Sequence, residues 1–290
     1  MDLPESVATI ASRSRFDHLH PTGVQYQDRY GSVYEALAGL AGQQLEVALR
    51  LLDRPDEPDG QFSNLITELL GSVAPITDHE RLLDVVDYGE QPRPWLVTPT
   101  VSERLADRTP MDFVSPLTTA TEIVEGVVHL HRNDRTHGGL DPQSVVFVGD
   151  RFGDVVQGSP KIDNSGLLAV YRHHFEPATY LEPAYAAPEY YSQEFGDVDN
   201  QTDVYHVGAV LYYLFTGRAP FTGSFERIQA KVLQAGPPKP SSADAPPEFD
   251  DIVTKAMARE KIRRYETVQH LQRDLERLVI NREYEWVPEE

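Results

Sequence analysis

The apolar periodicity of this chain changes once, near Ser102, and that change limits it to two unlike halves. Before it the apolar runs are short. YGSVYEA (Tyr30 to Ala36) and QLEVALRLL (Gln44 to Leu52) flank Gly39 and Gly42, the pattern of two strands joined by a turn. RLLDVVDYG (Arg81 to Gly89) and PWLVTPTV (Pro94 to Val101) are two more strand candidates. Between them, FSNLITELL (Phe62 to Leu70) has apolar residues at 62, 65, 66, 69 and 70, a helical spacing. After Ser102 the pattern is helical. Thr119 to Arg132 carries Ile123, Val124, Val127 and Val128 on one face, and Thr202 to Thr216 carries Val204, Val207, Gly208, Leu211, Leu214 and Phe215. That second helix opens on Thr202-Asp203, which suits an N-cap, and stops at Gly217. Phe249 to Met257 and Glu266 to Val279 read as two further amphipathic helices. The expected fold class is α+β and bilobal. A small, mainly β N-lobe with one main helix covers residues 16–101, and a larger, mainly helical C-lobe covers 102–280. Residues 1–15 form a lead-in and 281–290 a tail.

Composition narrows the partners. The net charge of −20 argues against non-specific nucleic-acid binding and against docking on anionic membranes. Of the 26 basic residues only five are lysines. An acidic, lysine-poor chain fits a halophile-like, salt-rich cytoplasm, where screening relieves repulsion among carboxylates. With no cysteine there are no disulfides and no thiol nucleophile. The N-terminal MDLPESVATI lacks a basic region followed by an apolar one, so it does not read as a signal peptide. The longest apolar run, around Val207 to Phe215, is too short to insert in a bilayer. The expected location is cytoplasmic.

Four stretches carry a family resemblance. TDVYHVGAVLYYLFTGRAPF (Thr202 to Phe221) resembles the long buried helix in the C-terminal lobe of eukaryotic-type Ser/Thr protein kinases. AYAAPEYY (Ala184 to Tyr191) resembles the end of their activation segment, with Ala187-Pro188-Glu189 in place of Ala-Pro-Glu. IVTKAMAREKIRRYETVQHLQRDLERL (Ile252 to Leu278) resembles their last helices, and THGGLDPQSVVF (Thr136 to Phe147) their catalytic loop. The resemblance implies a protein-kinase-like fold over about residues 16–280. It also implies framework roles for His137, Glu189, Asp203 and Arg264. Glu189 should pair with Arg264, and Asp203 should accept hydrogen bonds from backbone N–H groups near His137.

The same resemblance marks the chemistry as degraded. Phosphoryl transfer needs charge neutralisation by metal ions and a Lys, and a carboxylate for the acceptor hydroxyl. The His-Arg-Asp motif reads His137-Gly138-Gly139, so Gly139 stands at the catalytic Asp position with no group to accept a proton. Asp141 stands at the catalytic-loop Lys position, Ser144 at the metal-binding Asn, and Asn164 at the Asp of Asp-Phe-Gly. In the Gly-rich loop only Gly31 survives, with Tyr26 and Asp28 at the other positions. Arg50 replaces the Lys of Val-Ala-Ile-Lys, and Glu68 is the match for its helix partner. Two shifts of register could rescue catalysis, one bringing Asp141 inward and the other Asp163.

The adenine side looks better kept. Val33 and Ala48 offer an apolar roof, Thr98 matches a small gatekeeper, and Pro99 and Val101 would supply the hinge carbonyl and N–H. The candidate nucleotide pocket is thus Gly31, Val33, Ala48, Arg50, Glu68, Thr98, Pro99 and Val101. Three readings stand. The first is a pseudokinase acting as a binding or regulatory module for a protein partner, with no cofactor. The second is an atypical active Ser/Thr kinase. The third is a non-catalytic sensor that takes adenine nucleotide weakly, as ATP without Mg²⁺.

Overall fold

The computed structural model describes residues 5–55, 60–109, 115–149, 151–152, 155–156 and 158–285. The chain begins with helix α1 (Glu5–Ala11), then strands β1 (His18–Gln27), β2 (Gly31–Leu40) and β3 (Gln43–Leu52). Helix α2 (Gly60–Val73) and strands β4 (Asp87–Gly89) and β5 (Trp95–Pro99) complete the first lobe. Its five strands form one antiparallel sheet in the order β1-β2-β3-β5-β4. Val33 and Leu96 lie opposite Arg50, and Thr98 lies opposite Ala48. Because side chains alternate along a strand, these five share one sheet face. The loop from β1 into β2 needs a glycine at Gly31, where φ is 155° and a Cβ would sit 2.0 Å from the Leu51 carbonyl oxygen.

The second lobe begins with β6 (Glu103–Arg104) and α3 (Pro116–Arg132). Short strands β7 (Val145–Phe147), β8 (Arg151–Phe152), β9 (Val155–Val156) and β10 (Pro160–Ile162) follow. Strands β10, β7 and β6 pair in that order, so the loop after α3 and the residues after β10 meet beneath the first lobe. Helices α4 (Leu167–Tyr171), α5 (Pro177–Tyr180), α6 (Asn200–Thr216), α7 (Phe225–Gln234), α8 (Asp250–Ala256) and α9 (Val268–Glu285) complete the chain. Helix α6 is buried almost all round, and α3, α8 and α9 pack against it. Gly208 lets α8 approach, since a Cβ there would stand 2.7 Å from that of Ala256.

The structure changes four sequence expectations. The lead-in is helical over α1 and buries Val7 and Ile10 in the core of the first lobe. Helix α6 starts before Thr202-Asp203. Its N-cap is Asp199, whose carboxylate accepts from Gln201 N at 2.9 Å while Thr202 Oγ1 accepts from Asp199 N at 3.0 Å. Arg81 to Val86 is not strand, because its backbone bonds go to isolated partners: Leu83 N to Ile162 O and Val85 N to Thr77 Oγ1. The tail assignment starts inside α9, which runs to Glu285, and residues 286–290 lie outside the described residues. Residues 56–59, between β3 and α2, also lie outside them.

Candidate functional site

Asp203, fully buried on α6, sets the shape of the loop between α3 and β7. Its two oxygens accept the N–H groups of His137 and Gly138, each at 2.8 Å, and His131 Nε2 donates to it at 2.8 Å. Burial alone would raise its pKa, but His131 and then His206 beside it hold it far below the usual carboxylate range. His137 donates through Nε2 to the Asp163 carbonyl at 2.8 Å, while Nδ1 accepts the Gly139 N–H at 3.3 Å. One ring nitrogen donates and the other accepts, so this imidazole is neutral, and its burial pushes its pKa down.

The polar residues of that loop face one another. Asp141 Oδ1 accepts from Gln143 N at 2.9 Å, Ser144 N at 3.0 Å and Ser144 Oγ at 2.8 Å. Its Oδ2 pairs with Arg29 of the β1–β2 loop. Neither Asp141 nor Ser144 is more than 2% exposed. At Gly139 the space where a side chain would begin is filled: a Cβ would stand 2.7 Å from Leu168 Cδ2 and 3.0 Å from Leu168 Cβ. Leu168 arrives there on α4, immediately after Gly166.

Arg50 binds the opposite wall. Its Nε lies 2.6 Å from Asp28 Oδ2, its Nη2 3.0 Å from Asp163 Oδ2, and its Nη1 2.7 Å from Asn164 Oδ1. Asp163 Oδ1 accepts the Asn164 N–H at 2.7 Å. Burial would raise the Asp163 pKa, yet Arg50 brings it below the normal value. The Arg50 guanidinium stays charged, because Asp163 and Asp28 outweigh its burial. Glu68 is not its partner. That residue is exposed on α2, and the face of α2 turned inward carries Ile66 and Leu70. The Glu68 expectation failed because helical spacing located the helix but not which of its residues points at β3.

The cleft between the lobes is about 280 Å³ and is lined by Tyr26, Gln27, Asp28, Arg29, Tyr30, Arg104, Gln143, Ser144 and Asn164. On the adenine side, Val33, Ala48 and Thr98 are buried, and Pro99 and Val101 are half-buried. Thr98 Oγ1 donates to the Pro99 carbonyl at 3.1 Å, so the candidate hinge acceptor already has one donor.

Away from the cleft, Glu189 and Arg264 meet as a fork, Nη1–Oε1 at 2.7 Å and Nη2–Oε2 at 2.8 Å. A protein kinase domain model matches residues 27–275. The chain belongs to the protein kinase family. It is 31% identical over 242 residues to the serine/threonine-protein kinase PknL of Mycobacterium tuberculosis, covering 79% of this chain and 58% of PknL. Against the serine/threonine-protein kinase PrkC of Bacillus subtilis it is 26% identical, over 79% of this chain and 36% of PrkC. The chain thus spans less than two thirds of the length of these relatives. The crystal structure of the PknI kinase domain of M. tuberculosis, as a double mutant, superposes with a TM-score of 0.66 at 19% identity, over 96% of this chain and 100% of that domain. That likeness concerns the fold.

With the kinase fold established, the family's metal site can be tested on these residues. Asn164 Oδ1 and the Asp163 carboxylate both face a guanidinium, and Ser144 Oγ is spent on Asp141. A cation would have to displace Arg50, so the residues present do not fit Mg²⁺. The two register shifts that could rescue catalysis do not occur in this structure. Asp141 is held by four partners within its loop and at Arg29, and Asp163 by Arg50 and the Asn164 N–H. Sequence reasoning did not find Arg29 or Leu168. The reversed charge at Asp141 was the available signal for Arg29, since a buried carboxylate there requires a cation from elsewhere. Nothing in the sequence signalled Leu168.

Proposed function

We propose that this chain is a pseudokinase: a protein-kinase fold used as a binding or regulatory module for a protein partner, without phosphoryl transfer and without a resident cofactor. The observation that carries the reading is Leu168 against Gly139. The position that would hold the catalytic carboxylate has no side chain, and the volume one would need is taken. General-base help is commonly worth about 10²–10⁴ in rate. Here its loss coincides with a guanidinium at the metal position.

The second reading, an atypical active Ser/Thr kinase, draws support from the relatives, which are named as serine/threonine-protein kinases. It also draws on the two carboxylates, Asp141 and Asp163, buried within the catalytic loop and beside it. One assay separates the two readings. Purified protein in molar salt is given labelled ATP, a Ser/Thr acceptor protein, and Mg²⁺ or Mn²⁺. The expected result is no label transfer above a no-protein control. Transfer that Asp141→Ala or Asp163→Ala abolishes would replace the first reading with the second.

A further inference from the structure

Asp28 is the only carboxylate in the turn between β1 and β2, and it is directed inward. Its Oδ1 accepts the backbone N–H of Tyr30 at 2.8 Å and of Gly31 at 3.0 Å. Its Oδ2 lies 2.6 Å from Arg50 Nε. In a kinase fold this loop covers the phosphates and the cation on the third strand pairs with them. Here one carboxylate takes two loop N–H groups and the strand cation together. The two bonds from the loop N–H groups are charge-assisted and so about twice as strong as neutral ones, and Arg50 adds an ion pair.

Arg29 is committed to Asp141, with Glu182 4.0 Å away, and Arg50 to Asp28 and Asp163. Arg104 donates through Nη1 to the Gln143 carbonyl at 2.6 Å. Arg29 and Arg50 are thus already ion-paired, whereas the Arg104 guanidinium meets only a neutral carbonyl. A phosphate coming to Arg50 must evict a carboxylate that is already tethered, and tethering gives the resident a high effective concentration.

We infer that Asp28 is a built-in stand-in for a phosphoryl group. It holds the anion site of Arg50 and keeps the cleft closed to di- and triphosphates. The inference rests on the non-catalytic reading but fails separately from it, because its test measures binding and not transfer. Neutralising Asp28 removes one negative charge from the cleft and releases Arg50 from that ion pair for an external diphosphate, while the Asn amide oxygen can still accept the two loop N–H groups.

The experiment titrates pyrophosphate and ADP, each without divalent cation, into wild type, Asp28→Asn, and Asp28→Asn combined with Arg50→Gln. Asp28→Asn is expected to bind at least one probe about tenfold or more tighter than wild type. The added Arg50→Gln is expected to remove that gain. Equal affinities for wild type and a folded Asp28→Asn protein, with both probes, overturn the proposal. Wild type supplies a test that needs no variant. In the ligand-free protein the Tyr30 and Gly31 amides should exchange hydrogen slowly, because Asp28 holds them. Exchange at the rate of an open loop overturns the proposal whatever the variants do.

Discussion

Asp203 shows how a single carboxylate can order a whole loop. It sits with no solvent exposure and satisfies two backbone donors and one imidazole. Asp203→Asn removes the charge and turns an N–H toward at least one of those donors. Each unpaired buried group costs about 1–3 kcal/mol. The variant is expected to lose about 2–4 kcal/mol near neutral pH, read from urea unfolding. The pH dependence has a definite sign. The folded pKa of Asp203 is depressed, so its stabilisation is present above the unfolded value of about 3.9 and is lost as pH falls toward the folded value. The gap between wild type and Asp203→Asn should therefore be flat from pH 7 to about 5 and narrow below about 4. A gap that widens in acid would mean Asp203 is not the charged anchor of this loop. Glu189 follows the same rule, since hydrogen bonds and charge from Arg264 override its burial and hold its carboxyl below the normal value.

Elements differ in how legible they were, and the reason is what each one packs against. Helix α6 declared itself because its apolar spacing and its terminal Gly217, with φ of 67°, are local signals. The Glu189–Arg264 fork was reachable from motif order, although its partners are separated by 75 residues. Helix α4 was not legible. It has only five residues, so its existence depends on tertiary contacts and not on periodicity. Those contacts are aromatic. Tyr171 sits fully buried on α4 among Tyr30, Phe62, Phe175 and Tyr180, with ring centroids 4.7–5.3 Å from its own. Its hydroxyl is shared between the carbonyls of Asp53, at 2.9 Å, and Tyr30, at 3.1 Å. Helix α4 is thereby tied to the first lobe, and Leu168 is kept over Gly139. Tyr171→Phe keeps the packing and removes that hydrogen bond, so it should cost about 1–3 kcal/mol and speed limited proteolysis within residues 167–180. Unchanged cleavage and unchanged thermal midpoint would show that α4 is held by packing alone. The mispaired Glu68 belongs to this scale as well, since periodicity gives a helix its apolar face without fixing its rotation against a strand.

At the scale of the whole molecule, two kinds of electrostatics act in opposite senses. The surface bears most of a net charge of −20, and repulsion among exposed carboxylates opposes the compact state. The lobes are joined by cleft pairs that solvent reaches poorly: Arg50 with Asp163, and Arg29 with Asp141. Salt distinguishes the two. The Debye length falls from about 10 Å at 0.1 M to about 3 Å at 1 M, which removes long-range surface repulsion. Buried pairs are screened much less, so the cleft contacts survive the same change. Stability should therefore rise with KCl, seen as a rising thermal midpoint between about 0.1 and 1 M. If the cleft pairs were instead the salt-sensitive part, added salt would separate the lobes and lower the midpoint. Arg29→Gln isolates that contribution. It removes a partly exposed cleft cation and leaves the surface carboxylates in place, so the variant should start at a lower midpoint and rise with KCl along the same slope as wild type. A steeper rise in Arg29→Gln would show that salt weakens the cleft pair in wild type, so that the cleft and not only the acidic surface responds.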